Sequence, residues 1–72
     1  MEYVIFDMDT KRGFTGDFIG GYPVFSPNLC DCQLYYSKQE AIYLKKRLER
    51  NYGYSYLWVY SYSDTKHKMG YY

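Results

Sequence analysis

Aromatic residues alternate with small and aliphatic residues, without a break, from position 54 to position 62. The even positions carry five aromatic residues, Tyr54, Tyr56, Trp58, Tyr60 and Tyr62, which we call the aromatic ladder. The odd positions carry Ser55, Leu57, Val59 and Ser61. Strict alternation is typical of a β-strand, because successive side chains point to opposite faces of a sheet. The pattern therefore predicts a strand over residues 54–62 with an aromatic face.

A helical pattern precedes this strand. The run Ser37-Lys38-Gln39-Glu40 matches a capping box, which marks the first turn of a helix. Four residues then fall on one stripe of the helix surface: Ala41, Leu44, Leu48 and Tyr52. Gly53 suits the left-handed conformation that ends many helices. We therefore predict a helix from about Lys38 to Tyr52 with this stripe as its core face.

The N-terminal half predicts short strands separated by turns. Residues 3–8 and 14–19 are apolar enough for two strands, and residues 22–25 form a short extended piece. Pro23 lacks a backbone N–H, so this piece should lie at a sheet edge or outside the ladder of hydrogen bonds. The expected fold is α+β, with a small antiparallel sheet of about three strands and one helix packed on one face. Residues 1–63 would form a single domain, followed by a mobile tail over residues 64–72.

The helix should cover Leu57 and Val59, so the aromatic ladder would point away from it. Two alternatives are open for that second face. It is either an exposed binding surface, or it is covered by the aromatic residues of the N-terminal half: Phe14, Phe18, Tyr22 and Phe25.

Composition strengthens the case for an interaction surface. Aromatic residues make up 24% of the 72 residues, and 12 of them are tyrosines. Tyrosine packs like a hydrophobic residue and hydrogen-bonds at its tip, so it suits interfaces. No apolar run is long enough to span a bilayer, and no signal-peptide pattern opens the chain. We expect a cytoplasmic protein that does not bind membranes.

Charge is distributed unevenly, although the net charge is only +1. Residues 1–36 carry five acidic and two basic side chains, whereas residues 37–72 carry seven basic and three acidic ones. The helix face opposite the core stripe includes Tyr43, Lys46, Arg47 and Arg50, a combination typical of contact surfaces. The overall balance is far from the basic excess of a dedicated nucleic-acid binder.

Three motifs could carry chemistry. Residues 4–10 resemble the first motif of haloacid-dehalogenase-type phosphatases, in which Asp7 would be the nucleophile and Asp9 the acid/base. However, Lys11 departs from that motif and the chain is too short for the family's doubly wound sheet, so an acidic hairpin turn is favoured. Cys30-Asp31-Cys32 has a poor spacing for zinc, even with His67 as a third ligand. Residues 16–21 are glycine-rich but lack the ending of a phosphate-binding loop, and they predict a flexible or bulged loop. We expect no catalytic residue, metal or cofactor.

Several short stretches together resemble small open reading frames of bacteriophages and prophages. They are Tyr3-Val4-Ile5, Phe14-Thr15-Gly16, Gly21-Tyr22-Pro23-Val24-Phe25-Ser26, Tyr36-Ser37-x-x-Glu40-Ala41 and Tyr52-Gly53-Tyr54. The resemblance implies a protein that binds a host protein stoichiometrically, as anti-CRISPR and other anti-defence inhibitors do. It assigns no functional residue.

The sequence therefore predicts a non-catalytic protein that binds and inhibits or modulates a host protein, with a CRISPR or other defence nuclease as one candidate target. The expected contact surface is the aromatic ladder, and the alternative is the helix face with Tyr43, Lys46, Arg47 and Arg50. A homodimer through the aromatic strand is a further expectation, because an uncovered ladder favours self-association. The alternative function is single-stranded nucleic-acid binding, with the ladder as a stacking platform.

Overall fold

A four-stranded antiparallel sheet with two helices forms the fold in the computed structural model, which describes residues 1–70. The strands are β1 (Tyr3–Asp7), β2 (Arg12–Ile19), β3 (Tyr22–Ser26) and β4 (Leu57–Ser61), and their order in the sheet is β3-β2-β1-β4. A short 3-10 helix covers Leu29–Asp31, and the α-helices are α1 (Lys38–Tyr52) and α2 (Tyr62–Lys68). The α+β prediction is confirmed, with one strand and one helix more than expected.

Helix α1 has the predicted bounds and the predicted caps. The Ser37 hydroxyl accepts a hydrogen bond from the Glu40 N–H, which is the first bond of the predicted capping box. Gly53 ends the helix at φ 74°, and its N–H donates to the Glu49 carbonyl. Ala41 and Leu48 are buried, and Leu44 and Tyr52 pack beside them. The predicted core stripe is therefore confirmed.

The main core lies between α1 and one face of the sheet. Its buried members include Ile5 of β1, Phe14 of β2 and Leu57 of β4, together with Tyr35, and Val59 is partly buried against them. The N-terminal aromatic residues join this side of the sheet, since Phe14 lies 5.7 Å from Phe18 and 5.6 Å from Phe25 between ring centroids. They do not cover the opposite face, which was one of the two alternatives.

Helix α2 covers that opposite face. It packs against β1 and β4, and its Thr65 is fully buried. The Ser61 hydroxyl caps α2 by accepting from the Asp64 N–H at 3.1 Å. The predicted strand over residues 54–62 is therefore too long at both ends, because β4 covers only Leu57–Ser61. The predicted domain boundary at residue 63 falls inside α2, and residues 71–72 of the predicted tail lie outside the described residues.

The link between β3 and α1 passes through a gap in the sheet. Strands β1 and β2 pair only at Phe6–Gly13 and Asp7–Arg12. Beyond that point the Gln33 N–H donates to the Phe14 carbonyl, and Tyr35 pairs with Tyr3. Since Cys32 packs on the α2 side of the sheet and Tyr35 on the α1 side, the chain crosses from one face to the other here.

Gly13 makes this crossing possible, because a Cβ at that position would overlap Sγ of Cys32 and lie 3.3 Å from Cγ1 of Val4. All three residues are buried. Gly13→Ala should therefore lower the free energy of unfolding by about 1–3 kcal/mol, as measured by urea denaturation. Cys32→Ala removes the obstructing sulfur, so Gly13→Ala should cost less in that background. Equal losses in the two backgrounds would contradict the contact.

Candidate functional site

The structure divides the aromatic ladder among different environments. Only Trp58 and Tyr60 lie in β4. Tyr54 packs against the core with its ring 5.2 Å from that of Phe25, Tyr56 is exposed in the bend before β4, and Tyr62 is the first residue of α2. The five side chains therefore do not form one continuous aromatic face.

Tyr60 is partly enclosed on the α2 side of the sheet. Its ring lies edge-on to Phe6 at 6.1 Å, and its hydroxyl donates to Sδ of Met8 at 3.2 Å. The Lys68 ammonium lies 5.1 Å from the Tyr60 ring centroid, within the range of a cation–π contact. These contacts indicate a structural role for Tyr60.

Trp58 is the exposed member of the ladder within β4, with 57% of its surface accessible. It lines a groove of about 320 Å³ between α1 and β4, which we call the α1–β4 groove. Ile42 and Val59 supply further apolar surface, and Lys38, Lys45 and Lys46 supply charge. This volume is at the low end for ligand pockets, so the groove suits one or two side chains of a partner better than a large cofactor.

A second shallow groove continues from the first. Ile42 and Lys46 line both, and Tyr43 joins them in the second groove. The Arg47 guanidinium lies 6.0 Å from the Tyr43 ring centroid, and Tyr43 is 65% exposed. The two faces that the sequence predicted as alternatives therefore meet at Lys46. We call the combined region the aromatic–basic surface, which comprises Trp58, Ile42, Tyr43, Lys38, Lys46 and Arg47.

Of the three lysines that line the α1–β4 groove, one forms a salt bridge within the described residues. Lys45 forms a salt bridge with Glu49, with 3.0 Å between Nζ and Oε1. Within residues 1–70, neither Lys38 nor Lys46 has an acidic side chain at salt-bridge distance. Among the described residues, the groove therefore offers two cations without a salt bridge beside an exposed tryptophan. Arg50 is exposed in the last turn of α1 and does not line either groove.

The tip of the β2–β3 hairpin is an exposed apolar patch that the sequence patterns did not predict. Gly20 and Gly21 both have positive φ and form the two-residue turn, which projects Ile19 and Tyr22 into solvent. Phe18 is half-exposed and packs on Tyr52 of α1. The flexible or bulged loop predicted over residues 16–21 is wrong in extent, because residues 16–19 belong to β2 and only Gly20 and Gly21 form the turn; the irregularity is a register shift between Phe14 and Phe18. Two apolar segments that are separated only by Gly20-Gly21 could have indicated a hairpin, since a Gly-Gly pair suits a two-residue turn.

The acidic motif at residues 7–10 forms the turn between β1 and β2. Asp7 is buried, and its Oδ1 accepts hydrogen bonds from the N–H groups of Asp9 and Thr10 at 2.9 and 3.4 Å. Lys11 adopts a left-handed conformation at φ 61°. These bonds give the Asp7 carboxylate a role in holding the turn.

The two cysteines occupy different environments. Cys30 is exposed and Cys32 is buried, and neither forms a disulfide. Burial, with smaller contributions from Asp31 and Cys30, raises the pKa of the Cys32 thiol to about 11. No group of three or more His, Cys, Asp or Glu side chains in residues 1–70 is placed to hold a metal ion.

Thiol labelling should distinguish the two cysteines. A pKa of about 11 leaves only about one Cys32 in a thousand as thiolate at pH 8, and the thiolate is the reactive form. We expect Cys30 to react with Ellman's reagent at least about a hundredfold faster than Cys32. Cys30→Ser should remove the fast phase and leave the slow one. Equal rates for both thiols would contradict the burial of Cys32.

Comparisons with protein-family models, with curated proteins and with solved structures found no match for this chain. Of the helices within residues 1–70, none has the length and apolarity needed to cross a membrane.

Proposed function

We propose that this chain is a non-catalytic binding protein that docks on another protein through the aromatic–basic surface and inhibits or modulates it. The observation that carries the proposal is the exposure of Trp58 beside Ile42 and two lysines that form no salt bridge within residues 1–70. Tryptophan, tyrosine and arginine are the residues most enriched in interface hot spots. The proposed site therefore has the composition of an interface centre with a basic rim.

The resemblance to small phage reading frames extends the proposal to the target. It favours a host protein in the cytoplasm of the infected cell, and a CRISPR or other defence nuclease is the class we would test first. In this proposal Asp7 and Asp9 are turn residues, and inhibition results from occupying a surface of the target.

A pull-down tests the class of partner. The tagged chain is incubated with host lysate, with and without nuclease treatment, and bound proteins are identified by mass spectrometry. We expect at least one protein to be retained at equal yield after nuclease treatment. Loss of every bound protein after nuclease treatment would contradict direct protein binding.

Single-stranded nucleic acid is the second candidate ligand, because α1 brings Lys38 and Lys46 to the groove that Trp58 lines. These lysines could contact phosphates while a base stacks on the indole. Stacking on Trp58 predicts quenching of its fluorescence by an oligonucleotide, with affinity falling steeply as salt rises. Dispersal of the ladder argues against this candidate, since Tyr54 and Tyr60 pack within the fold and cannot extend a stacking platform.

A further inference from the structure

The exposed edge of β4 adjoins the α1–β4 groove. Strand β4 is the last strand of the sheet. The Met8 N–H donates to the Tyr56 carbonyl and the Tyr62 N–H donates to the Glu2 carbonyl, which shows which residues of this pair face each other through hydrogen bonds. Hydrogen-bonded and non-hydrogen-bonded residue pairs alternate along an antiparallel pair of strands. The backbone groups of Trp58 and Tyr60 therefore bond to β1, whereas those of Leu57 and Val59 point away from β1 toward the open edge. Leu57 is buried. The accessible part of the edge is therefore centred on Val59, which also lines the groove.

The α1 side of the groove has a regular spacing. Lys38, Ile42 and Lys46 follow each other at intervals of four residues, so they lie on one side of the helix about 6 Å apart along its axis. Alternate residues of an extended chain are separated by about 6.6 Å. An extended segment lying along the groove can therefore place residues i, i+2 and i+4 opposite these three side chains in turn.

We propose that the α1–β4 groove binds an extended segment of a partner protein with the pattern acidic-x-apolar-x-acidic. The two carboxylates would pair with Lys38 and Lys46, and the apolar side chain would contact Ile42 and Val59 on the α1 side of the sheet. The backbone of the segment would bond to the outward-facing groups of Val59, as in β-strand addition. This inference rests on the proposed function and specifies the partner chemistry that the site recognises.

Charge disfavours a second copy of this chain as the occupant. Antiparallel pairing of β4 with β4 of another copy would continue the sheet, and a two-fold axis perpendicular to it would place both α1 helices on the same face. Lys38 and Lys46 of each copy would then approach those of the other without an acidic partner in residues 1–70. Like charges at an interface oppose association, whereas an acidic segment removes this repulsion.

Selection from a library of random 12-residue peptides tests the proposal without knowledge of the natural partner. The full chain serves as bait, and enriched peptides are synthesised and titrated by Trp58 fluorescence. We expect enrichment of peptides with two acidic residues four positions apart and an apolar residue midway. Lys38→Glu and Lys46→Glu should each weaken binding by at least about tenfold. Lys66→Glu makes the same charge change on an exposed position of α2 outside the groove, and it should change affinity less than about twofold.

The possible failures are distinguishable. Enriched peptides without acidic residues, or peptides whose affinity is unchanged by Lys38→Glu and Lys46→Glu, would overturn the inference and leave the proposed function intact. A library that yields no binder would also overturn the inference, and the nuclease-treated pull-down then decides separately whether a protein partner exists. Analytical ultracentrifugation tests for a dimer. A dimer that becomes more stable in Lys46→Glu, and whose formation prevents peptide binding, would show that a second copy occupies the groove and would overturn the inference.

Discussion

Phe14→Ala should remove a large share of the protein's free energy of unfolding. Phe14 is fully buried, and it contacts Phe18 and Phe25 at the point where β2 meets the α1 core. Truncating a buried phenylalanine costs about 3–5 kcal/mol, because the lost burial is accompanied by a cavity. A domain of 72 residues has a total stability of roughly 4–11 kcal/mol, so the loss removes a large share of it.

Phe18→Ala is the matched control for this prediction. It removes the same side chain four residues along the same strand, but Phe18 is 50% exposed. We expect a loss of about 1 kcal/mol, since little cavity would remain. Chemical denaturation followed by circular dichroism compares the two variants. Similar midpoints for both would mean that Phe14 is not at the centre of the core.

Trp58→Ala should abolish partner binding while the fold remains. Trp58 lies on the edge strand and is mostly exposed, so its removal leaves no cavity in the core. A central aromatic anchor of an interface contributes about 2 kcal/mol or more, which corresponds to a loss of affinity of at least about thirtyfold. Affinity for the captured partner can be measured by surface plasmon resonance, with circular dichroism as the check of the fold.

Tyr36→Ala is the control for Trp58→Ala. Tyr36 is 76% exposed and lines neither groove of the aromatic–basic surface, so its truncation removes an even more exposed aromatic residue elsewhere. We expect unchanged affinity. Equal weakening by the two variants would indicate a general effect of exposed aromatic residues, and unfolding of Trp58→Ala would show that Trp58 belongs to the structural core.

Helix α1 could be predicted in detail because its signals are local. Ser37 and Gly53 fix its ends through hydrogen bonds to residues within one turn, and its core stripe follows from helical periodicity alone. The alternation in residues 54–62 likewise identified Leu57 and Val59 as the side chains of one strand face, and they pack in the α1 core. The caps and the helical stripe do not depend on the path of the rest of the chain.

Helix α2 escaped prediction because two local signals overlap at residues 61 and 62. Tyr62 continues the aromatic alternation, which favours a strand, whereas Ser61-Tyr62-Ser63-Asp64 has the spacing of a helix cap. In the structure the cap prevails, and Thr65 reinforces it by donating to the Ser61 carbonyl at 2.8 Å. The covering of the second sheet face by α2 follows from this turn.

The site itself could be predicted only in pieces. Sequence periodicity identified Trp58 and Lys46 as members of two separate faces, but their meeting at one groove depends on the packing of α1 beside the β4 edge. The removal of Tyr54 and Tyr60 from the exposed surface likewise depends on distant residues, Phe25 and Phe6. Such nonlocal contacts leave no signal in the pattern of a single segment.

The most direct test of a protein-binding aromatic–basic surface is a comparative pull-down from nuclease-treated lysate. The baits are the parent chain, Trp58→Ala and Tyr36→Ala, each first shown to be folded by circular dichroism. We predict that the parent chain and Tyr36→Ala retain the same protein and that Trp58→Ala does not. Recovery of that protein at equal yield by folded Trp58→Ala would contradict the assignment of the surface.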